Sequence, residues 1–278
     1  MNLILTSSLN FYHKDNDGKK IAQNFGNENG IMNLIKKLTP KHDNFVFVAS
    51  SEFGYNETDI YASLTFDSFR ISFPFKNYVV LDGRTKDKTI EIIENADLIF
   101  LCGGHVPTQN KFFQNINLKE IIKNTKALII GQSAGSMNSA DVVYAQPEIE
   151  GESVDPTYKR YLKGLGLTKI SILPHFEQCI DDVVDGKNIF KEISIPDSKI
   201  RPFIAYSDGA YIYDDGVQQL MYGKAYLFEN GSYHLISQEN AVTDITQLVK
   251  SKFCKNNCDL IKEWNSKFYS LCSRSPAG

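Results

Sequence analysis

Five short segments of this chain, at residues 3–5, 45–49, 79–81, 98–101 and 127–130, are apolar from end to end. A strand with one wet face alternates apolar and polar residues, whereas a strand apolar throughout is buried on both faces. Helical spacing separates these segments, at residues 30–38, 58–69, 86–95 and 109–123. Together they predict a three-layer α/β fold, a mostly parallel sheet with helices on both faces. After about residue 170 the pattern changes. Strand-like segments appear at 171–173, 203–205 and 210–213, and segments 226–228 and 233–236 flank Asn230-Gly231, a hairpin signal. The sheet is therefore expected to gain antiparallel strands toward its C-terminal part. Residues 1–247 read as a single α/β domain. Residues 248–278 read as a C-terminal helical extension with a disordered end.

With 42% hydrophobic and 23% charged residues, the chain can build an ordinary core. A net charge of -3 gives no electrostatic ground for binding nucleic acid or an anionic membrane. No apolar stretch approaches the roughly 20 residues that span a bilayer. The first apolar run is short and no basic region precedes it, so it reads as a strand rather than a signal peptide. The cysteines (Cys102, Cys179, Cys254, Cys258 and Cys272) are odd in number and irregularly spaced. That usage fits reduced thiols in a cytoplasm. Cys254 and Cys258 would share a helix face, but no second His or Cys pair follows, so they read as packing residues rather than zinc ligands. Cys102 and His105 fall short of a metal site for the same reason. No cofactor or metal is expected.

The chemistry concentrates in residues 127–140, ALIIGQSAGSMNSA. Here a buried strand meets a helix start across Gly131, Ser133 and Gly135, a G-x-S-x-G turn. A serine at such a strained corner needs neighbours nearly free of side chains, and its Oγ then stands above the sheet edge. The N–H of Ala134 would face a developing oxyanion at the first helical turn. The alternative is a glycine-rich turn with an N-capping serine. Of the histidines, His175 ends the run SILP, at a strand end where active sites of open α/β sheets gather. Asp208 breaks the segment FIAY at a turn and is the candidate orienting acid, although an Asp before Gly often just caps its own turn. A second strand ends in Gly103-Gly104-His105, where Gly103 or Gly104 could supply another oxyanion donor.

Four stretches resemble peptidase family S51, which includes aspartyl dipeptidase (dipeptidase E) and cyanophycinase. They are the CGGH at residues 102–105, GQSAGSMN at 131–138, VDP at 154–156 and LPHF at 173–176. The resemblance implies a class I glutamine amidotransferase-like fold, with Ser133 as nucleophile, His175 as base and Asp208 as acid. It implies a serine peptidase acting on small peptides, including dipeptides with an N-terminal aspartate, through an acyl-enzyme. His105, Gly103, Lys159 and Arg160 are then candidates for reading the substrate. This chain departs from the family pattern at His105-Val106-Pro107, where a third glycine and an asparagine are usual, and in carrying aspartate where glutamate is common; Glu150, near where some members carry an aspartate, is held in reserve as the acid. A non-peptidase esterase or amidase and a catalytically silent binding protein are the alternatives. The expected partner is a small peptide, with no nucleic acid and no membrane; a homodimer is left open.

Overall fold

The five apolar strands lie side by side as the sequence pattern predicts, and their alternation decides the layers. In a computed structural model the structure describes residues 1–254, Ile261 and Asn265. The strands are β1 (Asn2–Thr6), β2 (Asn44–Val48), β3 (Asn77–Leu81), β4 (Leu98–Leu101) and β5 (Leu128–Gln132). They run parallel in the order β1-β5-β4-β2-β3. Leu3, Val46, Ile99 and Ile129 point to one layer, while Ile4, Phe45, Phe47, Phe100 and Ile130 point to the other. Both layers are covered by helices, as the absence of polar alternation demands. Helices α1 (Ile31–Leu38) and α2 (Tyr55–Ser72) pack on the Phe45 side. Helices α3 (Thr89–Glu94), α4 (Val106–Asn115) and α5 (Leu118–Ile122) pack on the other.

The connection leaving β2 thus climbs one face and that leaving β4 the other. Adjacent strands whose connections diverge open a crevice at their C-terminal ends, where ligands of open α/β sheets bind.

Two expectations need correction. The helix expected over residues 109–123 is two helices, α4 and α5, because Asn117 sits at φ 50° between them. Asparagine tolerates that left-handed geometry, and it turns the chain. The C-terminal strands also divide between two sheets. Strands β8 (Tyr211–Asp214), β9 (Gln219–Tyr222) and β12 (Val242–Asp244) extend the main sheet antiparallel beyond β1. The expected hairpin does form, as β10 (Ala225–Glu229) and β11 (Ser232–Ser237), with Asn230 and Gly231 at φ 55° and 79°. It joins β6 (Ile172–Leu173) and β7 (Phe203–Tyr206) in a separate sheet ordered β6-β7-β10-β11. Aromatic packing explains the choice. Phe203 stacks between Tyr144 and Phe228 with ring centroids 4.5 and 4.8 Å away, and that stack is saturated only if β7 and β10 are neighbours.

The helical extension is described only at its start, the helix Thr246–Lys252, and at two later points. Asn265 exchanges two hydrogen bonds with the Tyr161 backbone, at 3.1 and 2.9 Å, and Ile261 packs on the Tyr161 cluster. Cys258, Cys272 and the last six residues lie outside the described residues.

Candidate active site

Strand register assembles the site. Thr6 of β1 lies opposite Gln132 of β5, so the next residues, Ser7 and Ser133, leave the main sheet as neighbours. In the second sheet Leu173 lies opposite Ala205 in parallel strands, so His175 and Asp208 leave at a common end. Ser133 sits at φ 51°, ψ -116°, and its N–H donates to the Thr6 carbonyl at 3.0 Å. A non-glycine residue held there stores on the order of 1–3 kcal/mol of strain.

The flanking glycines are obligatory for steric reasons. A Cβ on Gly131 would lie 2.8 Å from Ser136 Cα, and one on Gly135 would lie 2.1 Å from the Leu101 carbonyl oxygen. Gly135→Ala is therefore expected to cost more than ~3 kcal/mol, because the obstacle is backbone that cannot rotate away. Urea denaturation checks this; a wild-type midpoint would refute it.

His175 Nε2 stands 3.0 Å from Ser133 Oγ, and His175 Nδ1 stands 2.7 Å from Asp208 Oδ1. With Nδ1–H donating to the carboxylate, Nε2 is left as an acceptor for the serine hydroxyl. Burial pushes the Asp208 carboxyl up. Hydrogen bonds from His175 and Ser7, with the charge of His175, outweigh it and hold Asp208 below the ordinary carboxylate range. Asp208 is thus an anion at neutral pH.

Ser7 was not foreseen. Its fully buried hydroxyl accepts the His175 backbone N–H at 2.9 Å, donates to Asp208 Oδ1 and lies 3.1 Å from His175 Nδ1. The only signal was its position just past the first apolar strand. Ser7→Ala frees both the histidine and the acid to wander. It is expected to lower kcat by about 10–100-fold with KM little changed, the mark of a positioning residue. A proportional rise in KM would instead make Ser7 a substrate contact.

Beside Ser133 a cavity of about 430 Å³ opens at the crevice between β2 and β4. Gly103, Gly104, Ser133 and His175 all line it. A Cβ on Gly103 would come within 3.3 Å of Ser133 Cβ, so its backbone lies directly against that serine. Gly104, at φ 154°, packs so closely on Ser50 that a Cβ would sit 2.4 Å from the Ser50 Cβ. The Ala134 N–H opens a short buried helix, Ala134–Asn138. Cys102 also lines the cavity, but burial pushes its thiol up to about 12, so it is neutral and not a competing nucleophile.

The remaining candidates lie apart from this cavity's walls. His105 is bound on both ring nitrogens, to Thr108 Oγ1 at 2.8 Å and Glu152 Oε1 at 2.7 Å. Arg160 pairs with the buried Asp197 at 2.8 and 2.9 Å. Burial raises the Asp197 carboxyl to about 6 even against that guanidinium. Lys159 and Glu150 are exposed, and the acid on His175 is Asp208. Among the described residues no group of His, Cys, Asp and Glu is arranged to hold a metal ion, and no helix is long and apolar enough to cross a membrane.

The sequence model of peptidase family S51 matches residues 22–218. No curated protein matches the chain. Among solved structures, a peptidase from an acI-B1 Actinobacterium shares the fold with a TM-score of 0.60 at 14% identity, covering 87% of this chain and 96% of its own. A putative peptidase E protein from Listeria monocytogenes EGD-e is 17% identical with a TM-score of 0.48, covering 85% of this chain and 98% of its own.

Proposed function

The chain belongs to peptidase family S51, and on that premise we propose that it is a serine peptidase using Ser133, His175 and Asp208 to hydrolyse small peptides. The observation that carries this reading is the continuous hydrogen-bonded line from Ser133 Oγ through both ring nitrogens of His175 to Asp208. Ser133 Oγ attacks the peptide carbonyl while His175 Nε2 takes its proton. Asp208 holds the tautomer and stabilises the imidazolium. The N–H groups of Ala134 and Gly104 receive the developing oxyanion. His175 then returns the proton to the leaving amine, and water, deprotonated by the same nitrogen, releases the acyl group. At about 430 Å³ the cavity lies at the small end of the range for ligand pockets, which favours short peptides.

The test is hydrolysis of a dipeptide panel by the purified protein, with labelling of Ser133 by a fluorophosphonate followed by mass spectrometry. Hydrolysis and labelling that both vanish in Ser133→Ala support the proposal. Undiminished hydrolysis in that variant sinks it. Labelling without hydrolysis of any peptide, but with turnover of simple esters, would move the protein to the esterases.

A further inference from the structure

The walls of the cavity beside Ser133 discriminate by charge. Its floor includes Phe47 and Phe100, each about 1% exposed. One flank is the face of α2 that carries Glu57, Tyr61 and Thr65. The Thr65 hydroxyl is committed to its own helix, donating to the Tyr61 carbonyl at 2.8 Å. Among the described lining residues, Glu57 is the only carboxylate and there is no lysine or arginine. Lys20 comes near, but its ammonium donates to the Tyr61 hydroxyl and lies 4.2 Å from that ring's centroid, and Lys20 is not part of the lining. Next to the nucleophile, Gln132 contributes an uncharged amide to the inner wall, whose Oε1 is buried with no partner.

A substrate carboxylate entering this cavity would face Glu57, with no lysine or arginine in the described lining to offset the loss of water. An aromatic or large aliphatic side chain would meet phenylalanine and tyrosine rings, gaining burial and ring contacts. We propose, resting on the serine-peptidase reading above, that the acyl residue of the substrate carries a large apolar or aromatic side chain, and that Glu57 excludes acidic ones. The N-terminal aspartate that the family resemblance implies is therefore not this chain's preferred residue.

The experiment uses α-aminoboronic acid analogues of phenylalanine and aspartate, which form tetrahedral adducts with a serine hydroxyl. Each competes against fluorophosphonate labelling of Ser133 in the full-length protein. The phenylalanine analogue is expected to protect at a concentration at least ~100-fold lower than the aspartate analogue. Glu57→Lys is expected to narrow that ratio at least ~10-fold, with Glu57→Gln in between. Glu57 is exposed, so both variants are expected to fold. Equal or better protection by the aspartate analogue in the wild type overturns the proposal, as does a ratio unmoved by Glu57→Lys. If the fluorophosphonate fails to label Ser133 at all, the serine-peptidase reading fails and this inference goes with it. Labelling with an aspartate preference sinks only the inference.

Discussion

Ser133→Ala is expected to lower kcat for peptide hydrolysis by at least ~10⁴, because among the described residues no other hydroxyl or thiol is hydrogen-bonded to His175 Nε2 to form the acyl-enzyme. Ser133→Gly should lose as much activity and yet be the more stable of the two. The reason is the backbone. Ser133 is held at φ 51°, ψ -116°, where a Cβ is strained. Glycine relieves on the order of 1–3 kcal/mol of strain and gives back roughly 0.5–1 kcal/mol in unfolded-chain entropy. The net advantage of glycine over alanine is about 1 kcal/mol, or a Tm roughly 2–4 °C higher for a domain of this size. Calorimetry of the two variants measures it. A glycine variant that melts below the alanine variant would mean that the corner is not strained. The strain belongs to the site: the conformation that lifts Oγ above the sheet edge is one the fold must impose.

Asp208→Asn is expected to cost about 10³–10⁴ in kcat with the fold intact. An asparagine side chain can present an N–H to His175 Nδ1 in place of an acceptor. The imidazole then carries its proton on Nε2, the nitrogen that stands 3.0 Å from Ser133 Oγ and must accept from it. The same carboxylate links stability to pH. Its pKa is lowered in the folded protein, so its contribution to stability is fully present above the ordinary carboxylate value near 4. That contribution is lost as the pH falls through the lower folded value. The stability gap between wild type and Asp208→Asn should therefore shrink between about pH 5 and about pH 2. Melting both proteins across that range tests the sign, and a gap that widens on acidification would show that Asp208 is not held as an anion. Glu150 offers a control: it is exposed, and the acid hydrogen-bonded to His175 is Asp208. Glu150→Gln is expected to leave kcat within about twofold.

The parallel layers were legible because they rest on local chemistry. A strand such as residues 98–101, LIFL, has no polar side on which to meet water, so it can only be covered twice. The turn at Asn230-Gly231 was legible for the same reason, since its φ values of 55° and 79° are ones those two residue types adopt cheaply. The elbow around Ser133 could be read from its glycines, whose missing Cβ atoms would have met the Leu101 carbonyl and the Ser136 backbone.

What the sequence by itself determined, then, is the five parallel strands, their burial and the candidate nucleophile, all of which follow from interactions within a few residues. Tertiary structure alone decided the rest. Whether the hairpin joined the main sheet or a second one depended on Phe203 stacking against Tyr144 and Phe228, rings far apart in the chain. Arg160 looked like a substrate reader until the fold brought Asp197 to it, 37 positions away. The position of Ser7 just past the first strand did not disclose its role, because its partners, His175 and Asp208, are 168 and 201 positions distant. Burial pattern and turn chemistry are written into neighbouring residues; a partner across the molecule is chosen only when sheet register and packing bring two distant strand ends together.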